Sequence, residues 1–249
     1  MRRRDFNKLA GTALIWCARP AMSAMQKDCS LKDAFDRRPL QCEVAGVRIP
    51  DSPLADKATE FARQHYEPHL FNHAMRTFLF GFLLGRATEL HFDVELLYLA
   101  SLLHDLGLTT RFRGELPFEI QGAQAAGTFL TGAGLGPDKV ATVWDGIALH
   151  CSAVSQYKKP EVALVAAGAG ADVVGASCGR LPVGSKDDVL RAFPRLDFKN
   201  RFVRTCSDVI RLYPRAAGNT FMRDIGERHV KDFKVENICD AIQRSPFDE

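Results

Sequence analysis

"DVELLYLASLLHDLGL", residues 93–108, is apolar on nearly every side of a helix until it meets a histidine and an aspartate side by side. A stretch this long and this evenly apolar predicts a central buried helix, with Gly107 as its stop. Charged residues avoid such positions unless paired. His104 and Asp105 therefore need a reason to stand at the end of a core helix. Adjacent helical residues point about 100° apart, so the two share a target only near a helix end.

Working outward, apolar residues from Leu54 onward recur at helical spacing, with few β-branched runs, and predict a mostly α-helical body. On the N-terminal side one helix is expected over 56–65. A second follows Pro68, placing Phe71, Phe78, Phe82 and Leu83 on one apolar face and His69, His73 and Arg76 on neighbouring turns. On the C-terminal side, Gly107, Gly114 and Pro117 mark a loop before a helix over 119–130. Pro137 and Pro160 each suit the first position of a further helix. Short helices are expected near "DDVLRAF", "RFVRTCSDVIRLY" and "NICDAIQ".

Residues 1–24 read as an export signal, with a basic start, a short apolar stretch over 9–18 and small residues at the end. Arg3 and Arg4, followed by Asp5 and Phe6, resemble a twin-arginine signal. That implies passage through the twin-arginine export machinery to the periplasm or the exterior. Residues 25–53 read as an irregular arm with at most a short strand at "VRIP", and residues 54–249 as one helical domain. No apolar run is long enough to span a bilayer, so no stable membrane association is expected after processing.

The 249-residue chain holds 33 basic and 30 acidic residues, and without residues 1–24 these become 28 and 29. A near-neutral chain gives no bulk electrostatic argument for nucleic acid. None of the seven cysteines stands in a C-x-x-C spacing, which argues against a zinc ribbon. The shortest candidate disulfide in an oxidising compartment would join Cys29 to Cys42.

Asp172 sits among Ala, Gly and Val in "PEVALVAAGAGADVVG", where an unpartnered carboxylate would cost several kcal/mol. Asp105 poses the same problem. Both are solved if His73, His104, Asp105 and Asp172 hold one divalent metal through imidazole nitrogen and carboxylate oxygen.

This order of His, His-Asp and Asp on successive helices resembles the HD superfamily of metal-dependent phosphohydrolases and related enzymes. The segments "NHAMRTFLFG", "ELLYLASLLHDLGLT", "FEIQGAQAA" and "IALHCS" are similar to its cyanamide hydratase-like branch, over about 66–215. The resemblance implies an all-α HD-domain helical bundle behind the irregular arm. It also implies a divalent ion, zinc before iron or manganese, on His73, His104, Asp105 and Asp172. Two departures stand out: Cys151 where the branch has threonine, and Gln121 where it has an acidic residue.

The resemblance implies an enzyme acting on a small molecule, namely hydration of a nitrile-type substrate such as cyanamide to urea by metal-activated water. Asp105, Glu119 and His150 are the candidate proton carriers, and Arg76, three residues after His73, could orient a ligand carboxylate. The bland readings are a helix-start carboxylate for Glu119, a helix-end histidine for His150 and a surface charge for Arg76. Phosphoester hydrolysis is the competing activity, with Arg76, Arg86, Arg111 and Arg113 as phosphate grips. A non-catalytic metal-binding module is the third reading. His65 and His69 continue a row with His73 but are not assigned to the site.

Overall fold

The computed structural model describes residues 40–218 and 220–246. The export signal and Cys29, with its expected bridge to Cys42, lie outside the described residues. Cys42, Cys151, Cys178, Cys206 and Cys239 are free thiols.

The expected all-α architecture is present. A two-residue antiparallel ribbon, β1 (Glu43–Val44) with β2 (Val47–Arg48), leads into helices α1 (Pro53–His65), α2 (Pro68–Ala87) and α3 (Val94–Leu103). Then follow α4 (Phe118–Gly132), α5 (Pro137–Ala148), α6 (Pro160–Val174), α7 (Ser185–Ala192), α8 (Phe198–Leu212), α9 (Met222–His229) and α10 (Ile238–Gln243). Short 3-10 turns separate several of them. The ribbon packs on α2 and α7, so these residues of the arm belong to the same unit as the helices.

Local chemistry explains the boundaries. Proline opens α1, α2, α5 and α6, where its missing N–H would be unsatisfied in any case. The Ser52 hydroxyl caps α1 through Ala55, and the Asp93 carboxylate caps α3 through the amides of Glu95 and Leu96. Gly175, at φ 77°, ends α6 in the left-handed conformation that glycine adopts without penalty.

Helix α3 is the central element, packed by α1, α2, α5 and α6, with Leu97, Leu99, Leu102 and Leu103 excluded from solvent. Around it, α2 and α6 run antiparallel in close contact along their length. Their facing residues step by four: Gly81 against Leu164, Thr77 against Gly168, His73 against Asp172. A Cβ on Gly168 would lie 2.1 Å from the Thr77 carbonyl oxygen, and one on Gly81 would lie 2.6 Å from that of Leu164. The two backbones approach this closely because both contacts are made by glycine.

Candidate metal centre

Three side chains meet at the C-terminal end of α3. His73 Nε2 lies 3.2 Å from His104 Nε2, His104 Nε2 lies 3.3 Å from Asp105 Oδ2, and Asp105 Oδ2 lies 3.5 Å from His73 Nε2. His104 keeps helical dihedrals, whereas Asp105 leaves them at φ −99°, ψ 12°. That break at the helix end lets two neighbouring side chains face one point. The Asp105 amide, no longer held in the helix, donates to the buried Tyr66 hydroxyl at 3.1 Å.

The partners of the other ring nitrogens fix the tautomers. His73 Nδ1 donates to Asp172 Oδ2 at 2.7 Å, His104 Nδ1 to the Ser101 carbonyl at 2.7 Å, and His150 Nδ1 to the Ile147 carbonyl at 2.6 Å. Each acceptor lacks a proton of its own, so in the neutral imidazole Nε2 carries the lone pair. Burial holds His104 down to about 3 and His150 down to about 4, so both are neutral at pH 7.

With neutral imidazoles and an ionised Asp105, the atoms that face one another in the cluster are all acceptors. Two imidazole lone pairs face each other, and Asp105 Oδ2 is buried without a hydrogen-bond partner. Bonds of roughly 2.0–2.1 Å around a tetrahedral zinc place ligand atoms about 3.3 Å apart, and the three separations observed bracket that value. The donor set and its spacing fit a divalent cation. The identity of the metal does not follow from them. His150 Nε2 stands beside the triangle, 4.0 Å from Asp105 Oδ1.

Asp172 is placed differently from the expectation of a fourth ligand in the cluster. Its oxygens accept from Arg76 Nε at 2.8 Å, Arg76 Nη2 at 2.7 Å, Arg195 Nη1 at 2.8 Å and His73 Nδ1. Two guanidinium groups already satisfy the carboxylate, and it stands on the Nδ1 side of His73, away from the metal-facing nitrogen. Burial alone would raise its pKa, but the hydrogen bonds from His73 and Arg76 hold it well below the usual carboxylate range. Its role is to orient His73, as carboxylates behind metal-bound histidines do.

Arg76 is likewise not a surface charge. It is fully buried, and Nη1 also donates to the carbonyls of Phe193 and Pro194. Arg195 escaped the sequence reading because only tertiary folding brings the segment after α7 against the end of α6. Phe198 packs on the His73 ring and under both guanidinium groups.

The triangle opens into a cavity of about 340 Å³. Besides His73, His104, Asp105 and His150, its wall includes Cys151, Phe118, Phe202, Phe221 and Val173. Glu119 is buried next to it without lining it. Its Oε2 has no hydrogen-bond partner, and its carboxyl lies near the Cys151 thiol. Burial pushes Glu119 up to about 7. Of the two departures from the family pattern, Cys151 lines this cavity. Gln121 lines a separate groove with Phe61, Arg111 and Phe129.

His65 packs against Phe61 and Phe112, away from the cluster. His69 is buried with both ring nitrogens unpartnered and is held down to about 4 by burial and by Arg201. No model of a known protein family matches the chain, and no curated protein matches it either.

Proposed function

We propose that the chain is a metal-dependent enzyme that adds water to a small nitrile-type substrate such as cyanamide, as the resemblance to the cyanamide hydratase-like HD enzymes implies. The observation that carries this reading is the acceptor-only cluster of His73, His104 and Asp105 at the floor of an accessible cavity. A cluster buried within the bundle would serve stability alone. One that faces a cavity leaves room for water and substrate.

A divalent ion held by His73, His104 and Asp105 would supply Lewis acidity and make water easier to deprotonate. The chain's own residues do the rest. Asp172 keeps the His73 lone pair on Nε2, and the Ser101 and Ile147 carbonyls do the same for His104 and His150. Hydration of cyanamide attaches the water oxygen to the nitrile carbon and leaves both water protons on the former nitrile nitrogen, giving urea. Pushed up to about 7 by burial, Glu119 is about half protonated at neutral pH and stands beside Cys151 of the cavity wall, which favours it over the neutral His150 as the acid. His150, neutral at pH 7, suits an acceptor or ligand role.

Phosphoester hydrolysis is less well supported. Among the described residues no lysine or arginine lines the cavity; Arg76 is committed to Asp172, and Arg111 lines the separate groove. We place the enzyme, through its twin-arginine-type signal, in the periplasm or outside the cell. Arg3→Lys with Arg4→Lys should strand the precursor in the cytoplasm.

The test measures metal content and urea release for the purified chain after zinc loading, beside Asp105→Asn. The expected result is bound metal and urea from the wild type and loss of both in the variant. Absence of bound metal in the wild type would overturn the reading.

A further inference from the structure

The cavity is larger and more apolar than cyanamide requires. At about 30 Å³ per water in the liquid, 340 Å³ corresponds to about eleven waters, whereas a molecule of three heavy atoms fills the space of about two or three. Apart from His150 and Cys151, the remainder is apolar. Above the metal-facing groups, it is formed by Phe118, Phe202, Phe221, Val173, Val174 and small residues of α6. The rings are arranged around a common space, with Phe118 edge-on to Phe221 at 5.8 Å and Phe202 stacked with Phe221 at 6.1 Å.

The mouth continues the same chemistry. Phe221, Val173 and Val174 line the cavity and are also solvent-exposed, at 36%, 37% and 78%. Large apolar side chains held at the rim of a concave site mark entry of an apolar ligand. Among the described residues no lysine or arginine lines the wall, and the guanidinium groups of Arg76 and Arg195 are committed to Asp172 and lie against Phe198.

We propose that the preferred substrate is an uncharged molecule with two parts, a small polar group of the nitrile type and an apolar body of about ring size. The polar group meets the face formed by His73, His104 and Asp105. The body rests among Phe118, Phe202 and Phe221, with Val173 and Val174 as the rim it passes. This rests on the metal-dependent reading above and extends it from the reacting group to the rest of the substrate. Small residues of α6, Ala166, Ala169 and Gly170, set the depth available to the body.

The test uses benzonitrile and phenyl phosphate as probes of the full chain, by ligand-observed NMR and calorimetry, with and without zinc. The expected result is benzonitrile binding to both forms, little or no phenyl phosphate binding, and benzamide formation by the zinc form. Phe221→Ala should weaken benzonitrile by about tenfold, by loss of a partly exposed aromatic contact. Val173→Lys, at the exposed rim, should weaken benzonitrile and create phenyl phosphate binding without disturbing the fold as read by circular dichroism. If benzonitrile does not bind the wild type, or phenyl phosphate binds as tightly, the proposal is overturned. Should that occur while zinc binds and cyanamide yields urea, the hydratase reading stands and only the apolar body is wrong. Failure to bind zinc would instead overturn the hydratase reading, and benzonitrile binding to the zinc-free chain would still report on the cavity.

Discussion

At the scale of single residues, the carboxylate of Asp172 accepts from an imidazole and two guanidinium groups while both it and Arg76 are buried. Removing its charge leaves Arg76 buried beside a neutral amide, a change that costs about 3–5 kcal/mol. Asp172→Asn should destabilise the chain by that order in urea unfolding and weaken metal binding by about 10- to 100-fold in a chelator competition. Unchanged metal affinity would contradict the orienting role. Glu119 gives a second prediction. Its pKa of about 7, against 4.5 ordinarily, means that the native state holds the proton more tightly than the unfolded state. Stability is therefore unaffected below about pH 4, falls as pH rises between those values, and is flat above about pH 7. Glu119→Gln removes this loss, so relative to wild type it should gain about 3 kcal/mol between pH 4 and pH 8 in metal-free unfolding.

At the scale of elements, the site depends on how closely α2 and α6 approach. Alanine usually stabilises a helix by about 1 kcal/mol over glycine. At Gly168 the sign should reverse, because the new methyl group would meet the Thr77 carbonyl at 2.1 Å. Gly168→Ala should lower stability by about 3 kcal/mol in denaturant unfolding. Gly127→Ala, whose nearest new neighbour would be Trp144 at 3.6 Å, should be tolerated and serves as the control. Periodicity and proline positions made α1 to α6 legible, and the conflict between an apolar helix and its terminal His-Asp pair pointed to His104 and Asp105. Helix α9 was not anticipated, because "MRDIGERH" is short and polar and is formed by packing on α8. Phe202, Phe221 and Arg195 were illegible for the same reason, since nothing local marks an aromatic or an arginine for a distant site. Asp172 was legible as a buried carboxylate in need of a partner, but its pairing with Arg195 was not, because that arginine comes from the distant segment after α7.

At the scale of the whole molecule, an ion in this position joins α2 to the end of α3, with His150 beyond α5 close by. A ligand bound only by the native state stabilises by about 4 kcal/mol at a thousand times its Kd. For a chain of this size that corresponds to a rise in Tm of about 8–16 °C. Scanning calorimetry with and without zinc should show the rise in wild type and none in Asp105→Asn. The four-residue steps shared by α2 and α6 also bear on where the chain can change length. One residue inserted between Gly168 and Asp172 would swing the carboxylate about 100° around α6 and separate it from His73. The turns at 88–92 and 133–136 carry no such phase, so insertions there leave the pairing intact. Drift in chain length should therefore collect in those turns, while the spacings from His73 to Gly81 and from Leu164 to Asp172 stay fixed to the residue.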